Sequence, residues 1–135
     1  MRFIYFTDIH LQQGRDSVAG FERALETMLA AEPELLICGG DLGVSEECRL
    51  LYAERTRALP VPCHTCFGNH ELDNGAYNAQ TPPGSVSFSW DAGGAHFIVL
   101  DVMRHTPARV RRSPNWWGEV DAAQLEWLAA DLAAT

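Results

Sequence analysis

Asp8 and His10 stand two residues apart, Asp41 follows a pair of glycines, and Asn69-His70 follow a further glycine. Carboxylate, imidazole and amide oxygen are hard or borderline donors. They suit Mn, Fe, Zn or a similar divalent ion better than a thiolate-seeking metal. Asp41, in the middle block of the three, is placed to bridge two ions. Two ions about 3.5–4 Å apart turn water into hydroxide at neutral pH and clamp a transferring phosphoryl group. Taken singly, Asp and Asn at such places are ordinary turn and cap residues. Taken jointly, they read as a metal centre.

Three short strands must position these donors. Residues 2–6 (Arg-Phe-Ile-Tyr-Phe) are mostly apolar or aromatic and lead into Asp8-Ile9-His10. That pattern reads as a strand buried on both faces near the middle of a sheet. Residues 34–38 lead into Gly39-Gly40-Asp41, and residues 61–67 lead into Gly68-Asn69-His70-Glu71. In open α/β sheets, ligands bind at the carboxyl ends of strands, where all three donor sets fall.

Helices are expected between the strands. Phe21, Leu25, Met28 and Leu29 keep helical spacing until Pro33, with Asp16 or Ser17 as the cap. A second helix starts near Ser45, with Glu46 and Glu47 in its first turn where the helix dipole favours acids. Pro60 and Pro62 bracket the entry to the third strand. Further on, residues 73–84 read as loop. Residues 85–90 and 95–100 read as a β-hairpin turning at 91–94, with His96 packed inside it. Residues 103–118 read as irregular, with Trp116 and Trp117 covering a core edge. Asp121 and Gln124 form a capping-box pattern, and Leu125, Leu128 and Leu132 give the buried stripe of a last helix.

The 135 residues, 47% of them hydrophobic, fit one α/β domain over 1–135. Eighteen acids face ten arginines and no lysine, for a net charge of −8. This balance excludes general nucleic-acid or anionic-membrane binding, and it would repel a phosphate unless bound cations reverse the sign locally. The arginines at 104, 109, 111 and 112 read as a solvated loop. No run approaches the roughly 18 apolar residues of a membrane span, and Met1 leads straight into a strand rather than a signal peptide. A cytoplasmic location is the expectation. Cys63 and Cys66 have zinc-like spacing but lack a second pair. Three apart on a strand, they face opposite ways, so both are expected reduced and packed, while Cys38 and Cys48 are isolated.

Asp8-Ile9-His10, Gly40-Asp41 and Gly68-Asn69-His70-Glu71, spaced by 33 residues (8 to 41) and 28 (41 to 69), resemble the calcineurin-like metallophosphoesterase family. So do Gly93-Gly94, Phe97 and Leu100-Asp101, then Trp117-Gly118 and Gln124-Leu125-Glu126-Trp127-Leu128. The resemblance spans nearly the whole chain. It implies a two-sheet αββα sandwich with a dinuclear centre that hydrolyses phosphate esters. Asp8 and His10 would hold the first ion, Asp41 would bridge and Asn69 would hold the second. His70 would donate a proton to the leaving oxygen or stabilise charge at the phosphoryl group.

Two departures from the family pattern shape the expectation. The family carries a lone histidine and then a Gly-His-x-His block beyond a helix like 124–132, and neither stands in these 135 residues. His64, His96 and His105 lie too early to serve. The second ion would keep only Asp41 and Asn69, so the chain is expected to be the amino-terminal part of a longer enzyme, incomplete at its carboxyl end. Secondly, Val44 stands where the protein-phosphatase branch carries an acid. This leans toward the group that includes cyclic-nucleotide phosphodiesterases.

The expected activity is metal-dependent hydrolysis of a small phosphomonoester or phosphodiester. The alternatives are a partner-binding scaffold without catalysis and a half-enzyme completed by a second chain.

Overall fold

The computed structural model describes residues 1–73, 87–105 and 116–135. The chain divides into two compact units, Met1–Ala76 and Tyr77–Thr135. In the first, the order is β1 (Phe3–Phe6), α1 (Arg15–Ala30), β2 (Leu35–Cys38), α2 (Glu46–Arg57), β3 (Cys63–Thr65) and α3 (Asn69–Asp73). The three strands form a parallel sheet in the order β1-β2-β3, with Phe3 opposite Leu35 and Leu36 opposite Cys63. Each parallel pair is joined by a helical crossover, as parallel pairing requires.

β2, not β1, is the central strand. All four of its residues are buried, whereas β1 lies at the sheet edge and alternates, with Phe3 47% and Tyr5 60% exposed. The expectation that residues 2–6 are buried on both faces is therefore corrected. Only the face carrying Ile4 and Phe6 turns inward, and Phe6 packs on the core. An apolar run at a sheet edge looks the same in sequence as one at its centre.

The core gathers Phe21 and Leu25 of α1, Cys38 of β2, Cys48 and Tyr52 of α2, and the loop residues Leu11 and Leu42. The Phe21 and Tyr52 rings stack at 5.6 Å, so the two helices meet on this core. Met28 packs against it from the side, as its spacing predicts. Ser45 caps α2 by accepting the Cys48 N–H, and Glu46 and Glu47 fill the first turn as expected. α1 differs. Its N-cap is Gly14, without a side-chain cap, because the Ser17 hydroxyl accepts the Gln12 N–H instead. β3 is shorter than the expected 61–67. Pro60 and Pro62 have no N–H to extend the ladder, although the Pro62 carbonyl still accepts Leu36 N–H at 2.9 Å.

The second unit holds β4 (Phe88–Ala92), β5 (Ala95–Val99), β6 (Met103–His105), β7 (Trp116–Gly118) and α4 (Ala122–Ala133). β4 and β5 make the expected hairpin, but its turn is only Gly93-Gly94, since Ala92 already pairs with Ala95. Residues 103–118 are not irregular throughout: β6 and β7 pair antiparallel. Of the loop expected over 73–84, Asp73 instead ends α3, and residues 74–84 lie outside the described residues, as do 85–86 and 106–115.

Asp121 caps α4 by accepting the Gln124 N–H at 2.9 Å. The other half of the capping box is not made, because the Gln124 amide donates to the Asp101 carbonyl. The expected stripe is also corrected. Leu125 and Leu132 are 54% and 56% exposed, and the half-buried face is Gln124, Trp127, Leu128 and Asp131. Two polar anchors set that rotation: Gln124 on Asp101, and Asp131 on Ser89 at 2.6 Å and His96 at 2.7 Å. His96 is packed, as expected, but as a hydrogen-bonded group between Asp91 and Asp131.

Candidate metal centre

The donors are brought together by loops that continue the sheet beyond its strands. Past β1 and β2 the backbones stay hydrogen-bonded: Asp8 N–H to Gly40 O at 3.1 Å, His10 N–H to Asp41 O at 2.9 Å and Leu11 N–H to Leu42 O at 3.0 Å. Leu11, buried in the core, anchors the end of this zipper. Asp8 and His10 are thereby held beside Asp41.

These loops are also bent in an unusual way. Asp8, His10 and Asp41 have φ of 58°, 44° and 55°, three of the four non-glycine residues with positive φ among the described residues. Left-handed backbone costs an L-residue about 1–2 kcal/mol. Such outliers gather at functional sites, where the surrounding structure holds them in place.

The β2 and β3 exits are pressed together. Gly40 has a φ of +108°, and a Cβ there would fall 2.4 Å from Gly68 N. A Cβ on Gly68 would strike the Asp41 carboxylate. Only glycines allow this approach.

The side chains converge as a result. One ligand atom from each of His10, Asp41 and His70 lies within 4.8 Å of the others. His10 Nε2 is 3.7 Å from Asp8 Oδ1 and 3.9 Å from Asp41 Oδ2. Two ligands on one ion, each with a bond of about 2.1 Å, stand at most roughly 4.2 Å apart. His10 is within that reach of Asp8 and of Asp41 taken pairwise, and the three offer nitrogen and oxygen donors of the right hardness, but the group whose ligand atoms all converge is His10, Asp41 and His70, without Asp8. The His70 and His10 rings meet edge to face at 4.6 Å, and His70 N–H donates to Asp41 Oδ1 at 3.1 Å. Asn69 opens α3 next to His70 and is half-buried.

Glu71 went unassigned in the reading of the sequence. It is wholly buried, and its carboxylate accepts backbone N–H groups from Asp41, Leu42 and Gly68. A sequence signal for it exists. Gly68 immediately precedes α3, and a Glu three residues on can reach back to that N–H, as in half of a capping box.

The cysteines are structural. All four are free, as expected of Cys63 and Cys66. Burial pushes the Cys38 thiol up to about 11 and also raises Cys63 and Cys66, so none of these three offers a ready thiolate at neutral pH. Tyr52, its own ionisation driven far up by burial, shares a 2.9 Å hydrogen bond with Thr65 at the end of β3.

No helix among the described residues is long and apolar enough to cross a membrane. A comparison with curated proteins returns no match. The family model of the calcineurin-like phosphoesterases matches residues 1–130. That match spans both units and all three donor blocks. The mixed α/β architecture, with its parallel three-stranded sheet and separate antiparallel hairpin, agrees with it, and so does a histidine–aspartate cluster in a family that generally binds divalent metals. By this match the chain belongs to the calcineurin-like phosphoesterase family.

Proposed function

We propose that this chain hydrolyses a small phosphomonoester or phosphodiester, with divalent Mn, Fe or Zn held by Asp8, His10, Asp41 and Asn69. The observation that carries the proposal is the convergence of His10, Asp41 and His70, with ligand atoms within 4.8 Å of one another at the carboxyl ends of three strands. When bound, such ions supply an activated water and offset the charge of the phosphoryl group. In a chain of net charge −8 that offset is what allows a phosphate ester to approach.

The residues of the chain do the rest. Asp8, His10 and Asp41 would hold one ion, while Asp41 and Asn69 would hold a second with fewer ligands. His70 sits beside Asp41 and holds a proton for the departing ester oxygen, so that water adds to phosphorus as the alcohol leaves. The hydrogen bond from His70 N–H to Asp41 Oδ1 fixes its backbone relative to the donors.

The test is a metal titration of chain 1–135 alongside turnover of an aryl phosphodiester and an aryl phosphomonoester. One ion should bind more tightly than a second, with Mn, Fe or Zn preferred to Ca, and hydrolysis should follow metal content. Tight binding of two ions per chain would overturn the ligand count. A metal-loaded chain that turns over neither ester would overturn the activity.

A further inference from the structure

Glu71 is the buried charged side chain among the described residues, with no exposed surface. Taking a carboxylate out of water costs several kcal/mol unless hydrogen bonds replace the lost solvation. Here three do. Oε2 accepts Asp41 N–H at 2.9 Å and Gly68 N–H at 2.8 Å, and Oε1 accepts Leu42 N–H at 2.8 Å. Hydrogen bonds to an ionised acceptor are about twice as strong as neutral ones. The side chain is thus saturated and sealed, which excludes it as a proton donor to substrate despite standing next to His70.

The three donors matter because of where they lie. Asp41 and Leu42 leave β2 and Gly68 leaves β3, so one carboxylate ties together two strand exits that are far apart in sequence. The peptide it grips on the β2 side belongs to Asp41 itself, in its left-handed turn at φ 55°. Its grip on Gly68 holds the start of α3, from which His70 N–H reaches Asp41 Oδ1. We propose that Glu71 is the positioning residue of the centre, holding the Asp41 carboxylate in its ion-accepting orientation before any ion arrives. This rests on the reading of Asp41 as a metal ligand.

The chemistry requires an acceptor at both oxygens. Glutamine keeps the shape but turns an NH₂ group toward one set of N–H donors, leaving donor against donor at a wholly buried side chain. Aspartate is one methylene too short to serve both exits.

The experiment is Mn²⁺ binding to chain 1–135, followed by electron paramagnetic resonance, for the parent, Glu71→Gln and Asp41→Asn. Glu71→Gln should weaken Mn²⁺ affinity by the roughly 10–100-fold typical of losing a group that orients a ligand. The number of sites per chain should not change. A merely structural role would instead reduce the fraction of competent sites and leave the affinity of the rest intact, and that result overturns the proposal. Asp41→Asn should abolish tight binding. If it does while Glu71→Gln binds as the parent does, the positioning role fails and the metal reading survives. If Asp41→Asn also binds as the parent does, both fail. Should Glu71→Gln not fold, amide hydrogen exchange on the metal-free parent decides: Asp41, Leu42 and Gly68 should be protected, and exchange at the rate of open loops would overturn the proposal.

Discussion

Asp41 Oδ1 accepts the backbone N–H of His70 at 3.1 Å, while Asp41 Oδ2 lies 3.9 Å from His10 Nε2. One carboxylate therefore faces two ways. One oxygen is given to the α3 backbone at His70, and the other faces His10 from beyond β1. This division lets Asp41 and His70 be told apart by mutation, although they sit side by side.

His70→Ala should leave metal content nearly unchanged and lower turnover by about 10²–10⁴-fold, the usual cost of losing a general acid or base. The loss should be smaller for aryl leaving groups that depart without a proton. Asp41→Ala removes the shared donor, so metal and activity should disappear together. Metal analysis beside kinetics checks both. If His70→Ala strips metal as thoroughly as Asp41→Ala, His70 is a ligand and not a proton donor.

Gly40→Ala should be severe. It puts an L-residue at φ +108° and a Cβ against the Gly68 backbone nitrogen, and the nearest atoms, from Phe67 and Gly68, are all backbone rather than a flexible side chain that could yield. Backbone strain alone is worth about 1–3 kcal/mol, and the overlap adds to it. Thermal unfolding should show a loss of at least that size. Gly14→Ala, also at positive φ but with no atom within 4 Å of a new Cβ, serves as the control for strain without the clash. Equal losses in the two variants would mean that the packing of the two exits contributes nothing.

The convergence of His10, Asp41 and His70 was legible in the sequence because chemistry and spacing coincide there: an acid and an imidazole two apart, then glycines placed to let two loops touch. The strand order was not. Phe3 and Tyr5 carry the hydrophobicity of a central strand while lying at an edge, and nothing in residues 2–6 says how many neighbours the strand will have. Likewise Leu125 and Leu132 keep a helical stripe that the fold leaves exposed, because Gln124 and Asp131 find polar partners on elements well upstream in the chain. Glu71 was overlooked for a related reason. An acid beside a histidine reads as chemistry or as surface, and its burial depends on three N–H groups delivered from two other strands.

All four thiols should titrate after unfolding without reductant, and Cys38 should react last in the native chain. It is fully buried, and burial holds its thiol up at about 11, leaving almost no thiolate at pH 7.5. Cys63 and Cys66, raised in the same direction but only half-buried, should react sooner. Timed reaction with an aromatic disulfide, with and without denaturant, measures both points. A count below four under denaturing, non-reducing conditions would mean that a bridge has formed. Rapid native labelling of Cys38 would mean that the β2 core opens readily.

The second unit should be most stable in mildly acidic solution. His96 on β5 is held between Asp131 of α4 and Asp91 of β4, each 2.7 Å away, and Ser89 Oγ donates to the other oxygen of Asp131 at 2.6 Å. Asp131 first, and Asp91 second, raise the His96 pKa above its ordinary 6.5. Ser89 first, with His96 next, lowers that of Asp131 below its ordinary 3.8. A raised histidine binds its proton more tightly in the folded state. Its contribution is therefore complete below pH 6.5 and fades as the pH climbs through the raised value. A lowered carboxyl works the other way, contributing above pH 3.8 and failing as the pH falls through the lowered value. Both contributions are present together between about pH 4 and 6.5. Thermal unfolding followed by near-ultraviolet circular dichroism, which reports on Trp90 and Trp127 of this unit, should give a higher Tm at pH 5.5 than at pH 8.5. His96→Gln keeps a hydrogen-bonding side chain but cannot titrate, so it should flatten that difference while leaving the unit folded at pH 8.5. If His96→Gln keeps the parent's full pH dependence, the staple between α4 and the hairpin is not what makes this unit sensitive to pH.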